Sequence, residues 1–415
     1  MVATYRPRVV DAQVDRMLGA VGGVLLEGPR ACGKTATGTA HSSSAVRLDV
    51  DEDALTLARI DPSRVLEGSA PRLIDEWQLE PRIWNHVRRA IDDRGVPGQF
   101  ILAGSAVPSD DVTRHSGAGR ISRIRMRPMS LHESGHSTGK VSLADLATSG
   151  EASTADSALE LEGVVDRIAT GGWPALQRTS AADAQEALVS YLDDVTRVDL
   201  SRLDGSRQHD PSRVQRLLAS LARNTATEVS NASLARDTDV DVVTVREYLA
   251  ALERLMVLED QPSWSPHLRS RDVVRKAPKR HFTDPSLAAA AVRASPERLL
   301  QEPNALGLFF ESLVIRDLRV YAQSFGARVS HYRDGSGREV DAIVELRDGG
   351  WIAIEVKLGT DQVDAAAAGL DAFVRKVDTE RSGPPHARVV ITAIGRHAYT
   401  RRDGVAVVPI GALGP

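Results

Sequence analysis

The chain has 415 residues, 42% apolar and only 4% aromatic. That length predicts two or three domains, packed mainly with Leu, Val, Ile and Ala. A net charge of −4 argues against a protein that coats nucleic acid over its whole surface, although a local basic patch stays compatible with it. Cys32 is the single cysteine, so no intrachain disulfide can form, which fits a reducing cytoplasm. The longest aliphatic run, 287–292, is far short of a membrane span. Residues 1–17 are charged and lack the apolar core of a signal peptide. A cytoplasmic location without a membrane partner is therefore expected.

Residues 21–26 read as a buried strand followed by a glycine-rich turn. Segments 46–50, 72–75 and 100–103 read as further short strands, with a helix at 83–92. Strands alternating with helices predict an α/β domain with a parallel sheet over 1–135. The turn Gly28-Pro29-Arg30-Ala31-Cys32-Gly33-Lys34-Thr35 matches GxxxxGK(S/T), between a strand and a helix as that motif requires. Its glycines let successive N–H groups face phosphates, and the helix N-terminus adds a favourable dipole. Through Ala36 this segment is the expected ATP site. Lys34 would reach the β- and γ-phosphates, and the Thr35 hydroxyl would ligate Mg²⁺. The strand Arg72-Leu73-Ile74-Asp75-Glu76 ends in two acids. Asp75 would hold Mg²⁺ through water and Glu76 would polarise the attacking water, a role for which a small-molecule kinase has less use. Ser105 ends the strand at 100–103 and is a candidate γ-phosphate sensor, with an ordinary loop residue of equal standing. Arg120, in Gly-Ala-Gly-Arg-Ile, is a candidate arginine finger, in cis or from a second copy in a homo-oligomer, or else a solvated side chain.

Residues 134–157 are rich in Ser, Thr, Gly and Ala and read as a surface loop or linker. Residues 160–300 read as mostly helical. Within them, helices at 211–223, 233–237 and 243–256 and a short strand at 257–259 suit a winged helix-turn-helix. Arg246 and Arg254 on its last helix are offset by Glu247 and Glu253, so packing and DNA reading are both open. The run 267–281 holds Arg269, Arg271, Arg275, Lys276, Lys279 and Arg280 against Asp272. It would follow a phosphate backbone or form a solvated loop.

The segment 303–415 opens with an amphipathic helix at 306–323. Strands at 328–332, 339–346 and 351–357 follow, joined by Asp-Gly turns, then a helix at 363–376 and a strand at 387–394. Asp341 lies on the second strand, and Glu355 and Lys357 share one face of the third. Ile352, Ile354 and Val356 take the opposite face. Asp341 and Glu355 could bind Mg²⁺, Lys357 could stabilise charge on a phosphodiester, and Glu311 could be a further ligand or orienter. A solvated sheet face with an incidental salt bridge is the other reading.

The order of helix with Glu311, strand with Asp341, then Glu355-x-Lys357 resembles the PD-(D/E)XK nuclease superfamily, implying a restriction-endonuclease-like C-terminal fold. The whole chain resembles the prokaryotic AAA-type ATPases close to the archaeal-ATPase group, fused to a C-terminal domain of unknown function. The matching stretches include Glu27 to Arg30, Lys34-Thr35, Leu73 to Glu76, Leu102 to Ser105, Gly119 to Ile121, Met126 to Glu133, Gly171-Gly172-Trp173-Pro174 and Phe310-Glu311-Ser312. Ala36 stands where a second Thr is common, with no effect expected on Mg²⁺. The resemblance implies ATP binding; the leading expectation from the whole reading is an ATP-driven switch on nucleic acid, with an adenine nucleotide and DNA as partners. A regulated interaction or signalling protein with a silent nuclease-like domain and a protein partner is the alternative.

Overall fold

The computed structural model describes residues 5–104, 116–200, 210–266, 277–377 and 379–415. The chain forms two compact units. The first spans Met1–Pro128, with a later segment beginning at Asp199 and another at Arg254–Met256; the second holds the remainder.

In the first unit, chain order runs α1 (Asp11–Leu18), β1 (Gly23–Glu27), α2 (Lys34–Ala40), β2 (Ser44–Arg47), α3 (Glu52–Ile60), β3 (Arg72–Asp75), α4 (Ile83–Arg94), β4 (Phe100–Gly104) and β5 (Ile121–Arg125). The five strands are parallel in the order β2-β3-β4-β1-β5. β1 and β4 are continuous apolar runs because helices cover both faces of a parallel sheet. Leu25, Ile74, Trp77, Trp84, Phe100 and Leu102 anchor one core. The predicted strand at 46–50 sits earlier, at Ser44–Arg47, and Asp51 instead caps α3 through the Ala54 N–H.

The second unit begins with β6 (Val141–Ser142), α5 (Leu143–Ser149) and β7 (Ala155–Asp156). The expectation of a linker at 134–157 is thus corrected. β6 pairs with the distant β14 (Leu413–Gly414), and β7 joins a sheet edge. Leu143, Leu146 and Ala147 bury one stripe of α5, and Ser142 caps it. Helices α6 (Leu161–Thr170), α7 (Ala181–Asp194), α8 (Pro211–Arg223), α9 (Asn231–Thr238), α10 (Val242–Arg254), α11 (Pro285–Ala291) and α12 (Pro296–Gln301) follow. The predicted strand at 257–259 is instead a narrow antiparallel ribbon, bridging Leu258 to Phe282 and Gln261 to Lys279.

The long helix α13 (Pro303–Phe325) runs through this unit with most of its residues buried, Glu311, Arg316 and Asp317 among them. Then come β8 (Arg328–Arg333), β9 (Glu339–Glu345), β10 (Trp351–Lys357), α14 (Val363–Lys376), β11 (Ala387–Thr392), β12 (His397–Thr400) and β13 (Val405–Pro409). They build a seven-stranded mixed sheet, β7-β12-β13-β11-β10-β9-β8. Strands β8, β9 and β10 are antiparallel, whereas β10–β11 and β11–β13 are parallel. β12 and β13 are additional to the sequence reading.

Candidate functional site

The turn after β1 takes the shape its glycines predict. Ala31 and Gly33 have left-handed φ values of 60° and 107°. A Cβ at Gly28 would lie 2.5 Å from the Met126 carbonyl oxygen, so only glycine fits there. The Lys34 ammonium is buried and donates to the carbonyl oxygens of Gly28 and Pro29 at 2.9 and 2.8 Å. Cys32 is fully buried and serves as packing. Arg30 turns its guanidinium to Asp199, at 2.9 and 3.0 Å from the two carboxylate oxygens. Its side chain therefore pairs with an acid, and only its backbone belongs to the loop. Arg8, absent from the sequence reading, braces the loop from outside. It donates to the Cys32 carbonyl at 2.9 Å and to the Arg127 carbonyl at 2.7 Å. A lone arginine ahead of β1 carries no motif that would have revealed this.

The Thr35 side chain sits beside the Asp75 carboxylate, near enough to favour its ionised form, so the helix after the loop meets the end of β3. Burial pushes the Asp75 carboxyl up, and the Thr35 hydroxyl partly offsets it. Glu76 follows in a left-handed conformation, φ 52°. Burial raises its carboxyl too, while the Gln78 amide and the Lys34 charge favour the ionised form. An oxygen pair of hydroxyl and carboxylate suits a hard cation such as Mg²⁺.

Ser105 lies outside the described residues. Arg120 is not brought to this site. Its carbonyl accepts from Gly23 at the amino end of β1, and its guanidinium pairs with Asp92 at 2.6 Å. The loop leaves the other end of β1, roughly 13 Å away at about 3.3 Å per residue. Arg120 therefore cannot act as a finger in cis, which corrects that part of the reading.

In the second unit the predicted C-terminal residues do converge. Lys357 Nζ lies 2.6 Å from Glu355 and 3.5 Å from Asp341. The Val356 N–H donates to Asp341 at 2.8 Å. Glu311 approaches from α13, but its partner is Lys279, a residue of the basic run 267–281. Lys279, 2% exposed, lies 2.6 Å from Glu311, 2.6 Å from Glu339 and 3.6 Å from Asp341. Burial alone would lower the Lys279 ammonium; the three acids reverse this and raise it. Asp341 is held low, since Lys279 and Lys357 outweigh its burial. Glu311 and Glu355 are both pushed up to about 8, by burial first and then by the Asp341 charge.

Among the described residues no group of three or more acids, histidines or cysteines is arranged to hold a metal ion. Asp341 and Glu355 are each paired with an ammonium group instead, Asp341 with Lys279 and Lys357 and Glu355 with Lys357. Arg280 of the same basic run is also committed, to Asp260 and Asn231. Arg269, Arg271, Arg275 and Lys276 lie outside the described residues. Behind the cluster, the Gln261 amide N–H donates to the Asp341 carbonyl at 3.0 Å. Gln261 Oε1 must then accept from His281 Nε2, at 3.2 Å, which leaves Nδ1 to accept from Ser312 at 3.1 Å. Burial lowers His281 well below its usual range, so this imidazole is neutral.

A parallel sheet, a glycine turn holding a buried lysine and a strand-end aspartate beside the threonine define the first unit as a P-loop nucleotide-binding fold. Residues 22–135 match the family described as an AAA domain, and this part of the chain is an AAA-type ATPase domain. Residues 161–298 and 306–413 match two domains of unknown function, DUF8612 and DUF4143. The chain is similar to Uncharacterized protein Rv2008c of Mycobacterium tuberculosis, 26% identical over 408 residues, covering 97% of this chain and 83% of that protein. The figures are the same for Uncharacterized protein Mb2031c of Mycobacterium bovis. Among solved structures, the replication initiator DnaA bound to AMPPCP and single-stranded DNA overlaps 59% of this chain and 86% of its own, at 13% identity and a TM-score of 0.29. A signal transduction ATPase (STAND) protein of Pyrococcus horikoshii overlaps 77% and 48%, at 12% identity and a TM-score of 0.20. Overlaps at that level do not define a shared fold. No helix among the described residues is long and apolar enough to cross a membrane.

Proposed function

We propose that this chain is a Mg-ATP-hydrolysing switch whose nucleotide cycle repositions its helical and C-terminal parts on a nucleic acid. The observation that carries the reading is the left-handed glycine turn that holds the buried Lys34 ammonium, with Asp75 and Glu76 at the end of the neighbouring β3. Loop amides and the Lys34 ammonium bind the phosphates. Thr35 and Asp75 are the residues that would hold Mg²⁺, which supplies charge neutralisation on the phosphate oxygens. Glu76 accepts hydrogen bonds from the attacking water and orients it. Lys34→Ala is expected to abolish turnover, and Glu76→Gln to lower it by about 10²- to 10⁴-fold, the usual worth of a positioned base. Unchanged turnover in both variants would sink the site assignment.

The C-terminal layout supports the resemblance to the nuclease superfamily: α13, the antiparallel β8-β9-β10, then α14 and the parallel β11. The three helices α8 to α10 and the ribbon after them support a winged-helix reading of the middle. Nucleic acid follows from those two likenesses by analogy. One observation favours a second reading, a catalytically silent C-terminal module serving interaction. Lys279 fills the acid cluster with a covalently tethered cation. Plasmid and single-stranded DNA incubated with Mg²⁺ or Mn²⁺ separate the two. The silent module predicts no cleavage by the full chain; cleavage that disappears in Asp341→Ala would contradict it.

A further inference from the structure

Gln78 lies two residues beyond Glu76, in the short 3₁₀ turn Trp77–Leu79 that follows β3. Its amide Nε2 donates to Glu76 Oε2. The other end of the amide, Oε1, is buried without a hydrogen-bond partner among the described residues. It faces the last residue of β4: a Cβ added to Gly104 would lie 2.3 Å from Gln78 Oε1 and 3.1 Å from Gln78 Cδ. The amide thus lies between the end of β4 and the Glu76 carboxylate, and a side chain at position 104 would push it from this place. The neighbouring Trp77 ring is buried against Trp84, with centroids 5.3 Å apart. That stacking fixes the turn from which Gln78 projects. Because a carboxylate only accepts hydrogen bonds, Nε2 must point to Glu76 and Oε1 to Gly104.

From this geometry we propose that Gln78 is a positioning residue for ATP hydrolysis, holding Glu76 Oε2 so that Oε1 is left to orient water. The inference rests on the nucleotide-site reading above and adds a residue to it. A buried polar atom without a partner is kept only where the surrounding structure compels it. Here the compelling feature is the hydrogen bond at the other end of the same amide. Its role runs through the hydrogen bond to Glu76.

Gln78→Met keeps the length and volume of the side chain while removing the donor. Gln78→Ala is the second variant, and thermal unfolding reports whether each is folded. Steady-state turnover and nucleotide affinity by calorimetry are measured for both, for Glu76→Gln, and for Gln78→Met combined with Glu76→Gln. The expected result is a 10- to 100-fold fall in kcat for Gln78→Met, with KM and nucleotide affinity within threefold of the native chain. In the Glu76→Gln background, Gln78→Met should cost nothing further, because residues acting as a unit are not additive. Native kcat in Gln78→Met would overturn the proposal, as would an equal extra loss in the double variant. If Lys34→Ala keeps its nucleotide affinity, the site reading itself fails. If Lys34→Ala and Glu76→Gln behave as expected and Gln78→Met does not, only the role of Gln78 fails.

Discussion

Glu311 and Glu355 sit in one cluster with Asp341, yet only Asp341 is held in its ionised form by the two ammonium groups. The two glutamates are raised from 4.5 to about 8. Between those limits the folded chain keeps protons that the unfolded chain has released, so this contribution to stability falls as pH rises. It is fully present below about 4.5, the unfolded value of a glutamate, and is lost as pH passes the folded value. The expected outcome is an unfolding temperature that drops from pH 6 to pH 9. The drop should become shallower in Glu311→Gln/Glu355→Gln, as read by scanning calorimetry across that range. An unaltered slope in the double variant would contradict the electrostatic account. Individual residues were unequally legible. Lys34, Thr35, Asp75 and Glu76 declare themselves because phosphate and metal chemistry needs them at fixed spacing on a strand–turn–helix. Lys279, Gln261 and His281 do not, because their partners Glu311, Asp341 and Ser312 are 31 to 80 residues away in sequence.

Helix α13 is the element around which the second unit is built, and it carries a charge network in its middle. Arg316, 2% exposed, bonds Asp284 at 2.9 Å and Asp317 at 2.7 Å. Both aspartates have second duties. Asp284 accepts from the Gly172 N–H at 3.0 Å, and Asp317 accepts from the Leu131 N–H at 3.0 Å. Arg316→Met removes the cation and strands two buried carboxylates. It should cost about 3–5 kcal/mol, the range for breaking a buried pair from one side. Chemical denaturation with the tryptophan signal measures it; a change under 1 kcal/mol would contradict the network's importance. Elements with strong local signals were legible: the apolar strands β1 and β4, the amphipathic α4, and the Asp-Gly turns flanking β9. The stretch 134–157 was not. Its small polar residues hide an apolar stripe at Leu143, Leu146 and Ala147, and its strands exist only through pairing with β12 and β14. Pairing partners that far along the chain leave no local periodicity to read.

Taken as a whole molecule, the chain joins an AAA-type ATPase domain to a mixed α/β unit whose acid cluster carries its own cations. The phosphate loop stands at the carboxyl edge of the first sheet, where ligands bind in open α/β folds. Arg120 stands at the opposite edge, paired with Asp92. The nucleotide-driven switch proposed for the whole chain depends on whether the first unit grips a triphosphate. Titration calorimetry of ATP with Mg²⁺ into the full-length chain tests that directly. The account predicts a saturable heat with one nucleotide per chain for the native protein and for Glu76→Gln, and none for Lys34→Ala. A well-folded native chain that takes up no nucleotide, or a Lys34→Ala variant that binds as tightly as the native chain, would contradict it.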